Sequence, residues 1–464
     1  MLDERPVVTA AAAAPACPPA ASAPPRSPLD ARLGRVRPWI LSVLLFVVCV
    51  AVYASNGKTL NTGDSVPTRL IPIALVLDGT PMLDRFASVI PAGAHTSYFV
   101  RQTPYGLASW YPIATGLVAT PIVAPAVLWI QHTSAPDAAA WLVIGRGLEK
   151  LAAIVIAALA VVVFLPLCRR LRVPPFLALL VTVTFAFGSQ LFSTASQALW
   201  QHGPGCLAIL AALLCLVSAA GEHAAAPLAG FSALAALAVA IRPNDLLIVA
   251  PFALLALWRH PRYWLALVAP ATLGAVLLVS YNLALFATPS GGYGTTMGLH
   301  ASLGETLPGL LLSPGRGLFV YFPVSLLLVL LLALEPRVLV DGFAAACLAA
   351  VVGALLFTAS WPSWWGGYSF GPRLLSEIQP IILLLLALGI GRLEQRGRRR
   401  AFVLATAVLL PVQVAIQVLG TYGPAGRPPA ALAWNETPIS VDLEPMRNWD
   451  LADSPLARGL RGYE

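Results

Sequence analysis

The chain has 464 residues, of which 58% are hydrophobic and only 11% are charged, and its formal net charge is +8. Soluble domains are about half apolar and about a quarter charged, so this composition, with a mean hydropathy of +0.78, excludes an ordinary soluble protein. The apolar runs are continuous and not alternating, which argues against a membrane β-barrel and predicts an all-α, polytopic helical membrane protein. We attribute the positive charge to membrane topology and expect no nucleic-acid partner.

The N-terminal segment, residues 1–37, is rich in Ala and Pro and shows no helical period. Its repeated prolines oppose helix formation and predict a disordered tail. Three arginines directly precede the first apolar run, which places this tail on the cytoplasmic side of the membrane.

The transmembrane domain is predicted to cover residues 38–420. It contains eleven predicted spans, near residues 38–54, 146–167, 174–191, 204–220, 226–241, 244–258, 263–285, 317–334, 340–358, 374–391 and 400–420. Arginines gather in the short loops on the cytoplasmic side, as expected for a multi-pass protein of the inner (cytoplasmic) membrane. The odd number of spans places residues 421–464 outside, as an extracytoplasmic C-terminal tail.

The first outer loop, residues 55–145, contains one ambiguous segment. Residues 108–130 are apolar enough to cross the bilayer, but three prolines interrupt them. Lys and Arg concentrate in the cytoplasmic loops of membrane proteins, which we call the charge rule. Counting residues 108–130 as a span would place the arginines that follow residue 168 outside, against this rule. We therefore predict a helix that lies in the membrane interface, and a second such helix over residues 67–79.

This same loop opens with a polar stretch, GDSVPTR over residues 63–69. Polar and acidic groups beside the bilayer are costly, so function is the favoured reason for them, and Asp64 is predicted to be the centre of an active site at the membrane surface. A purely structural alternative also exists. Asp64 or Ser65 could simply cap a helix that begins at Pro67.

The order of elements now resembles a known group of proteins. One span leads into a long outer loop with an early acid, interfacial aromatic and proline-rich helices follow, and then come many spans with short loops. Short motifs add to the likeness: GDSVPTR at 63–69, IRP at 241–243, SYN at 280–282, SPGRGLF at 313–319 and WWGGYSFGPR at 364–373. The chain resembles the GT-C superfamily of integral-membrane glycosyltransferases, such as protein O-mannosyltransferases and bacterial aminoarabinose transferases.

The resemblance implies a donor in which a polyprenyl phosphate carries the sugar, with its tail in the bilayer and its sugar at the outer face. It implies an inverting transfer to the hydroxyl of a glycan, lipid or protein acceptor, and it gives Asp64 the role of general base. Many relatives carry two adjacent acids there, whereas this chain has Gly63 before Asp64. A lone carboxylate is a weak site for a divalent ion, so no metal site and no cofactor are predicted.

Arginine is the residue type best suited to hold the donor phosphate, because its guanidinium binds phosphate through two parallel hydrogen bonds. Arg373 is the first candidate, since it follows a Gly-rich loop just before a span. Arg69 and Arg101 compete for the same role. The alternative for each is an arginine that only extends its charge to the interface.

Aromatic and polar residues of the outer loops complete the predicted site. Trp365 and Tyr368 could stack on a sugar or prenyl chain, although an aromatic belt at the interface explains them equally well. His202 could hydrogen-bond an acceptor, although a lone His is more often structural. Tyr293 lies in a Gly-rich loop that could close over substrate.

Two other functions compete with sugar transfer. A secondary transporter or lipid flippase usually places ionisable groups near the bilayer midplane, whereas here they gather at span ends. A noncatalytic assembly subunit is the third possibility. The predicted function is therefore a membrane glycosyltransferase with an extracytoplasmic active site, and membrane lipids are its surroundings.

Overall fold

The computed structural model describes residues 28–90, 98–294, 302–424 and 427–462. Ten helices occupy the first part of the chain: α1 Pro28–Arg35, α2 Pro38–Ala54, α3 Val66–Asp78, α4 Ala114–Ser134, α5 Ala138–Arg170, α6 Pro175–Phe187, α7 His202–Ser218, α8 Ala225–Ile241, α9 Leu246–Arg259 and α10 Trp264–Phe286. Nine more follow: α11 Gly291–Gly294, α12 Leu303–Leu312, α13 Leu318–Tyr321, α14 Val324–Leu334, α15 Gly342–Ala359, α16 Ile378–Arg392, α17 Arg396–Thr421, α18 Ala430–Ala433 and α19 Pro455–Arg461. One antiparallel hairpin pairs β1 (Val100–Thr103) with β2 (Gly106–Ser109).

The predicted fold class, an all-α polytopic membrane protein, is confirmed. Within the described ranges, six helical segments are long and apolar enough to cross a membrane, and further apolar helices are shorter. Each of the eleven predicted spans coincides with helical structure. The span predicted over residues 317–334 is broken, because Pro323 separates α13 from α14.

The disordered tail was predicted to extend to residue 37, which is too far. Residues 1–27 lie outside the described residues, but Pro28–Arg35 form a helix that the sequence analysis missed. Pro28 is compatible with this helix because the first turn needs no backbone N–H donor. Asp30 fixes the helix to the bundle, since its Oδ1 accepts a hydrogen bond of 3.0 Å from the backbone N–H of Phe176.

The bundle core is built around α5 and α16. α16 is apolar on all sides, and its residues from Ile378 to Ile390 are all buried, as expected of a helix surrounded by other helices. α5 has 33 residues and contacts α2, α6 and α7. The N-terminal ends of α7 and α16 lie at the same end of the bundle as the C-terminal end of α2, and this end carries the candidate site.

The contacts of α4 agree with an interfacial position and not with a membrane crossing. α4 is long and apolar enough to cross. However, Tyr111 before its start hydrogen-bonds to Asp64, and Thr59 hydrogen-bonds to the backbone of Arg146, shortly after its end. α5 advances only about 12 Å from Ala138 to Arg146, whereas a crossing needs about 30 Å. Both ends of α4 therefore lie on one side, as the charge rule predicted.

The C-terminal tail is folded onto the outer loops in its described part. The side chain of Asn435 accepts a hydrogen bond of 2.6 Å from buried Arg316, and Asp442 accepts one of 2.7 Å from the indole of Trp365. Burial lowers the pKa of the Arg316 guanidinium to about 10, outweighing the favourable charge of Tyr321. The tail thus closes over loop 359–373, which the sequence analysis did not foresee.

Candidate active site

Asp64 lies in a short 3-10 turn, Gly63–Ser65, that leads directly into α3. The capping alternative is not observed, because Ser65 at the N-cap makes no side-chain hydrogen bond to the helix. The Ser65 hydroxyl instead bonds backward to the carbonyl of Thr62 at 3.2 Å. The side chain of Asp64 points away from the helix end and contacts three residues that are distant in sequence.

Each oxygen of the Asp64 carboxylate has its own partners. Oδ1 accepts hydrogen bonds from the hydroxyls of Tyr98 at 3.0 Å and Tyr111 at 2.7 Å. Oδ2 accepts from both terminal nitrogens of Arg373, each at 3.3 Å. The side chain stays 25% exposed. One oxygen is therefore held by neutral donors, while the other faces a cation at longer distance and remains open to a further partner.

The contact with Asp64 keeps the hydroxyl of Tyr98 protonated, so that it acts as a hydrogen-bond donor. Its pKa is raised because partial desolvation at the cavity wall, the negative charge of Asp64 and the hydrogen bond to that carboxylate all disfavour a phenolate. Tyr98 therefore donates to Asp64 throughout the physiological pH range.

Arg373 is fixed from several sides in the 3-10 turn Arg373–Leu375 that precedes α16. One terminal nitrogen donates to the carbonyl of Gly366 at 2.6 Å, and the guanidinium lies 4.3 Å from the centre of the Trp200 ring. Gly366 has φ +73, a left-handed conformation that glycine adopts without strain, and this allows its carbonyl to turn back toward Arg373. Nε of Arg373 is buried without a hydrogen-bond partner.

A cavity of about 1040 Å³ opens beside this pair. Its wall includes five of the predicted site residues: Asp64, Arg101, His202, Trp365 and Arg373. Further aromatic rings, those of Trp110, Trp200 and Trp361, also line it. The guanidinium of Arg101 lies 4.4 Å from the centre of the Trp110 ring, so the wall carries a second cation stacked on an aromatic face.

Arg69 and Tyr368 are not brought to the cavity wall in the described structure. Arg69 instead forms a buried ion pair with Glu149, at 3.2 Å. Tyr368 hydrogen-bonds to the hydroxyl of Ser440 in the tail, at 2.8 Å. The side chain of Tyr293 lies outside the described residues. Arg69 and Tyr368 therefore support neighbouring segments in this structure.

His202 belongs to a buried charged cluster behind the cavity wall. Its Nδ1 lies 2.7 Å from Oε1 of Glu377, and Oε2 of the same carboxylate accepts a hydrogen bond of 2.6 Å from Arg242. Asp245 is buried beside them, and its Oδ2 has no hydrogen-bond partner. Since His202 and Arg242 also reach the wall, this cluster sets the charge of the cavity floor.

The residues that the sequence analysis missed are Tyr98, Tyr111, Trp200 and Asp442. Their contacts join segments far apart in the chain, which no local pattern indicates. Asp442 lines the cavity from the C-terminal tail. Among the described residues, no group of three or more His, Cys, Asp or Glu side chains is arranged to hold a metal ion.

Comparison of the sequence with models of protein families gives no match, and comparison with curated proteins gives none. Among solved structures, the chain is similar to ArnT from Cupriavidus metallidurans bound to undecaprenyl phosphate. The two sequences are 13% identical, and the superposition has a TM-score of 0.49 and covers 85% of this chain and 68% of that chain. The roles assigned below therefore rest on contacts within this chain and on the motifs of its sequence.

Proposed function

We propose that this protein is a membrane glycosyltransferase that moves a sugar from a polyprenyl phosphate to an acceptor hydroxyl, with Asp64 as the general base. The observation that carries the proposal is the placement of Asp64 and Arg373 together in the wall of a large cavity at one end of the helix bundle. A carboxylate beside a guanidinium combines the proton acceptor and the phosphate ligand that this reaction needs.

The reaction is a single displacement. The acceptor oxygen attacks the anomeric carbon of the sugar, and its proton passes to Oδ2 of Asp64. The bond between the anomeric carbon and the phosphate oxygen breaks, and its electron pair remains on the phosphate. The sugar is transferred with inversion of configuration, and polyprenyl phosphate leaves with one more negative charge. That charge requires a fixed cation, which Arg373 supplies.

The Asp64–Arg373 contact suggests an order of binding. Both terminal nitrogens of Arg373 face Asp64 at 3.3 Å, a long distance for a charge-assisted hydrogen bond. A donor phosphate offers the guanidinium a stronger partner and draws it away from the carboxylate. Oδ2 is then free to accept the acceptor proton, while Tyr98 and Tyr111 keep the carboxylate in place through Oδ1. Donor binding therefore activates the base.

The remaining cavity wall suits a sugar. Aromatic faces pack against the apolar faces of sugar rings, and indole rings line this cavity on several sides. Trp365 is oriented by its hydrogen bond to Asp442, and Trp200 by stacking with Arg373. Arg101 offers a second cation to the phosphate, because its stacking on Trp110 leaves its hydrogen-bond donors available.

The location of the cavity favours transfer over transport. The cavity lies where spans end, and the Arg69–Glu149 ion pair beside it also lies near the outer end of α5. A conduit would need such groups near the bilayer midplane. With the N-terminus cytoplasmic, the site faces the extracytoplasmic side, where a lipid-linked sugar and a glycan, lipid or protein acceptor meet.

The decisive experiment compares purified wild-type protein with Asp64→Asn. Each is incubated with a panel of prenyl-phosphate sugars and candidate acceptors, and the products are identified by mass spectrometry. We expect transfer by the wild type and a loss of about a hundredfold or more in Asp64→Asn, since general-base catalysis contributes about 10²–10⁴-fold.

The matched control is Asp78→Asn. Asp78 belongs to the same outer loop but pairs with Arg85 away from the cavity wall, so its replacement leaves the rate unchanged. Full transfer by Asp64→Asn, or equal loss in both variants, would refute the assignment of the base.

A further inference from the structure

A second recess, of about 290 Å³, lies at the opposite end of the bundle. From Glu149 beside the candidate site, α5 runs about 32 Å to its last residue, Arg170, which lines this recess. Arg172 follows α5, Arg259 ends α9 and Arg392 ends α16, and all three also line it. Four arginines from three separate regions of the chain thus surround one small space.

The positive charge of this recess is poorly balanced. Asp341 is the one carboxylate in its described lining, and it is already engaged. Its Oδ1 caps α15 by accepting from the backbone N–H groups of Phe343 at 2.9 Å and Ala344 at 3.0 Å. Its Oδ2 pairs with Arg392 at 3.0 Å. Within the described part of the chain, the other three arginines form no ion pair.

His260, which also lines the recess, responds to this excess of positive charge. Its pKa is lowered by burial and by the neighbouring charges of Arg259 and Arg262. A site that disfavours an additional cation in this way favours an anion. The charges around His260 therefore disfavour its protonated form.

The other lining of the recess is apolar. Leu216, Leu255 and Phe343 contribute to it, beneath the exposed arginines. Free phosphate would gain nothing from apolar walls, whereas a phospholipid carries apolar acyl chains close to its charged phosphate. The charge rule places this end of the bundle at the cytoplasmic leaflet, where anionic lipids attract arginines.

We propose that the recess binds the phosphodiester headgroup of an anionic phospholipid. Arg172 and Arg259, which have no carboxylate partner in the described structure, hold the phosphate. Arg392 remains with Asp341 at the rim. This site is separate from the sugar-transfer cavity and does not depend on the function proposed for it.

The test uses the full-length protein and native mass spectrometry, with three added probes: phosphatidylglycerol, phosphatidylcholine and inorganic phosphate. The test variant is Arg172→Gln with Arg259→Gln. The matched control is Arg337→Gln with Arg400→Gln, which removes two exposed arginines at the same end but outside the recess.

We expect phosphatidylglycerol to bind the wild type at least tenfold more tightly than either other probe. Two arginines near a lipid phosphate correspond to roughly a thirtyfold change in affinity, so the test variant loses that much and the control less than threefold. Asp64→Asn binds as the wild type does. Equal loss in test and control variants, equal binding of phosphatidylcholine, or inorganic phosphate binding as tightly as phosphatidylglycerol would each overturn the proposal. If the test variant does not fold, Arg170→Gln with Arg172→Gln replaces it, since both side chains are exposed.

Discussion

Replacement of Arg373 tests in most detail whether this residue binds the phosphate of the donor. Arg373→Lys keeps the charge but leaves one directed contact in place of two and removes the stacking on Trp200. A hydrogen bond to a charged group contributes about 1.5–3 kcal/mol, so kcat/KM for the donor falls roughly tenfold to 150-fold. Arg373→Gln loses the charge as well, and its kcat/KM falls by about a hundredfold or more.

Initial rates at varied donor concentration measure both effects. Because the phosphate gains charge as the sugar leaves, Arg373→Gln lowers kcat as well as raising the KM for the donor. The control is Arg398→Gln, which removes an exposed arginine that pairs with Glu335 far from the cavity. If Arg373 serves only to orient Asp64, then Arg373→Gln changes kcat alone and adds nothing to Asp64→Asn. An unchanged donor KM would thus refute the phosphate assignment.

Three further predictions follow from single contacts. Tyr111→Phe removes the 2.7 Å hydrogen bond to the carboxylate, and kcat falls about tenfold with an unchanged donor KM, as steady-state kinetics can measure. Arg69→Met leaves Glu149 buried without its cation and lowers the free energy of unfolding by about 3–5 kcal/mol, seen as a lower midpoint of thermal unfolding in detergent. Burial acts to raise the pKa of the Asp453 carboxyl. The opposite effect of Arg458 and Arg447 is larger, so this pKa is lowered. This ion pair therefore stabilises the folded tail above the ordinary carboxyl pKa, and its contribution is lost as the pH falls through the lowered value. Asp453→Asn should speed proteolysis of the tail at neutral pH and leave its rate unchanged at a pH below the lowered pKa. If the variant differs from the wild type equally at both pH values, or at neither, the assignment is contradicted.

The helices of the membrane domain could be predicted because lipid imposes a simple rule on sequence. Every backbone polar group must be paired within its own segment, so continuous apolar runs of sufficient length become helices. The predicted span 38–54 coincides with α2, and 226–241 differs from α8 by one residue. Prediction was wrong over Pro28–Arg35, because proline was taken to oppose a helix that it in fact begins.

The candidate site could be predicted only in part. An acid in a polar stretch after a span is costly beside lipid, and that local signal indicated Asp64. Its contact with Arg373 joins positions 309 residues apart, and its contacts with Tyr98 and Tyr111 depend on how loop 98–111 folds back. No spacing in the sequence carries that information.

The C-terminal tail shows the same limit. The sequence analysis placed it outside the membrane and gave it no part in the site, yet Asp442 reaches the cavity wall and orients Trp365. Arg69 illustrates the opposite case. It belongs to the same short motif as Asp64, but it lies on α3 and turns inward to Glu149, because a buried carboxylate on α5 requires a cation.

The most direct test of the account is an experimental structure of the protein with a bound polyprenyl phosphate. We predict that the phosphate lies in the Asp64 cavity, that its oxygens accept hydrogen bonds from Arg373, and that this guanidinium has moved off Oδ2 of Asp64. A phosphate bound elsewhere, with Arg373 still paired to Asp64, would contradict the proposed reaction.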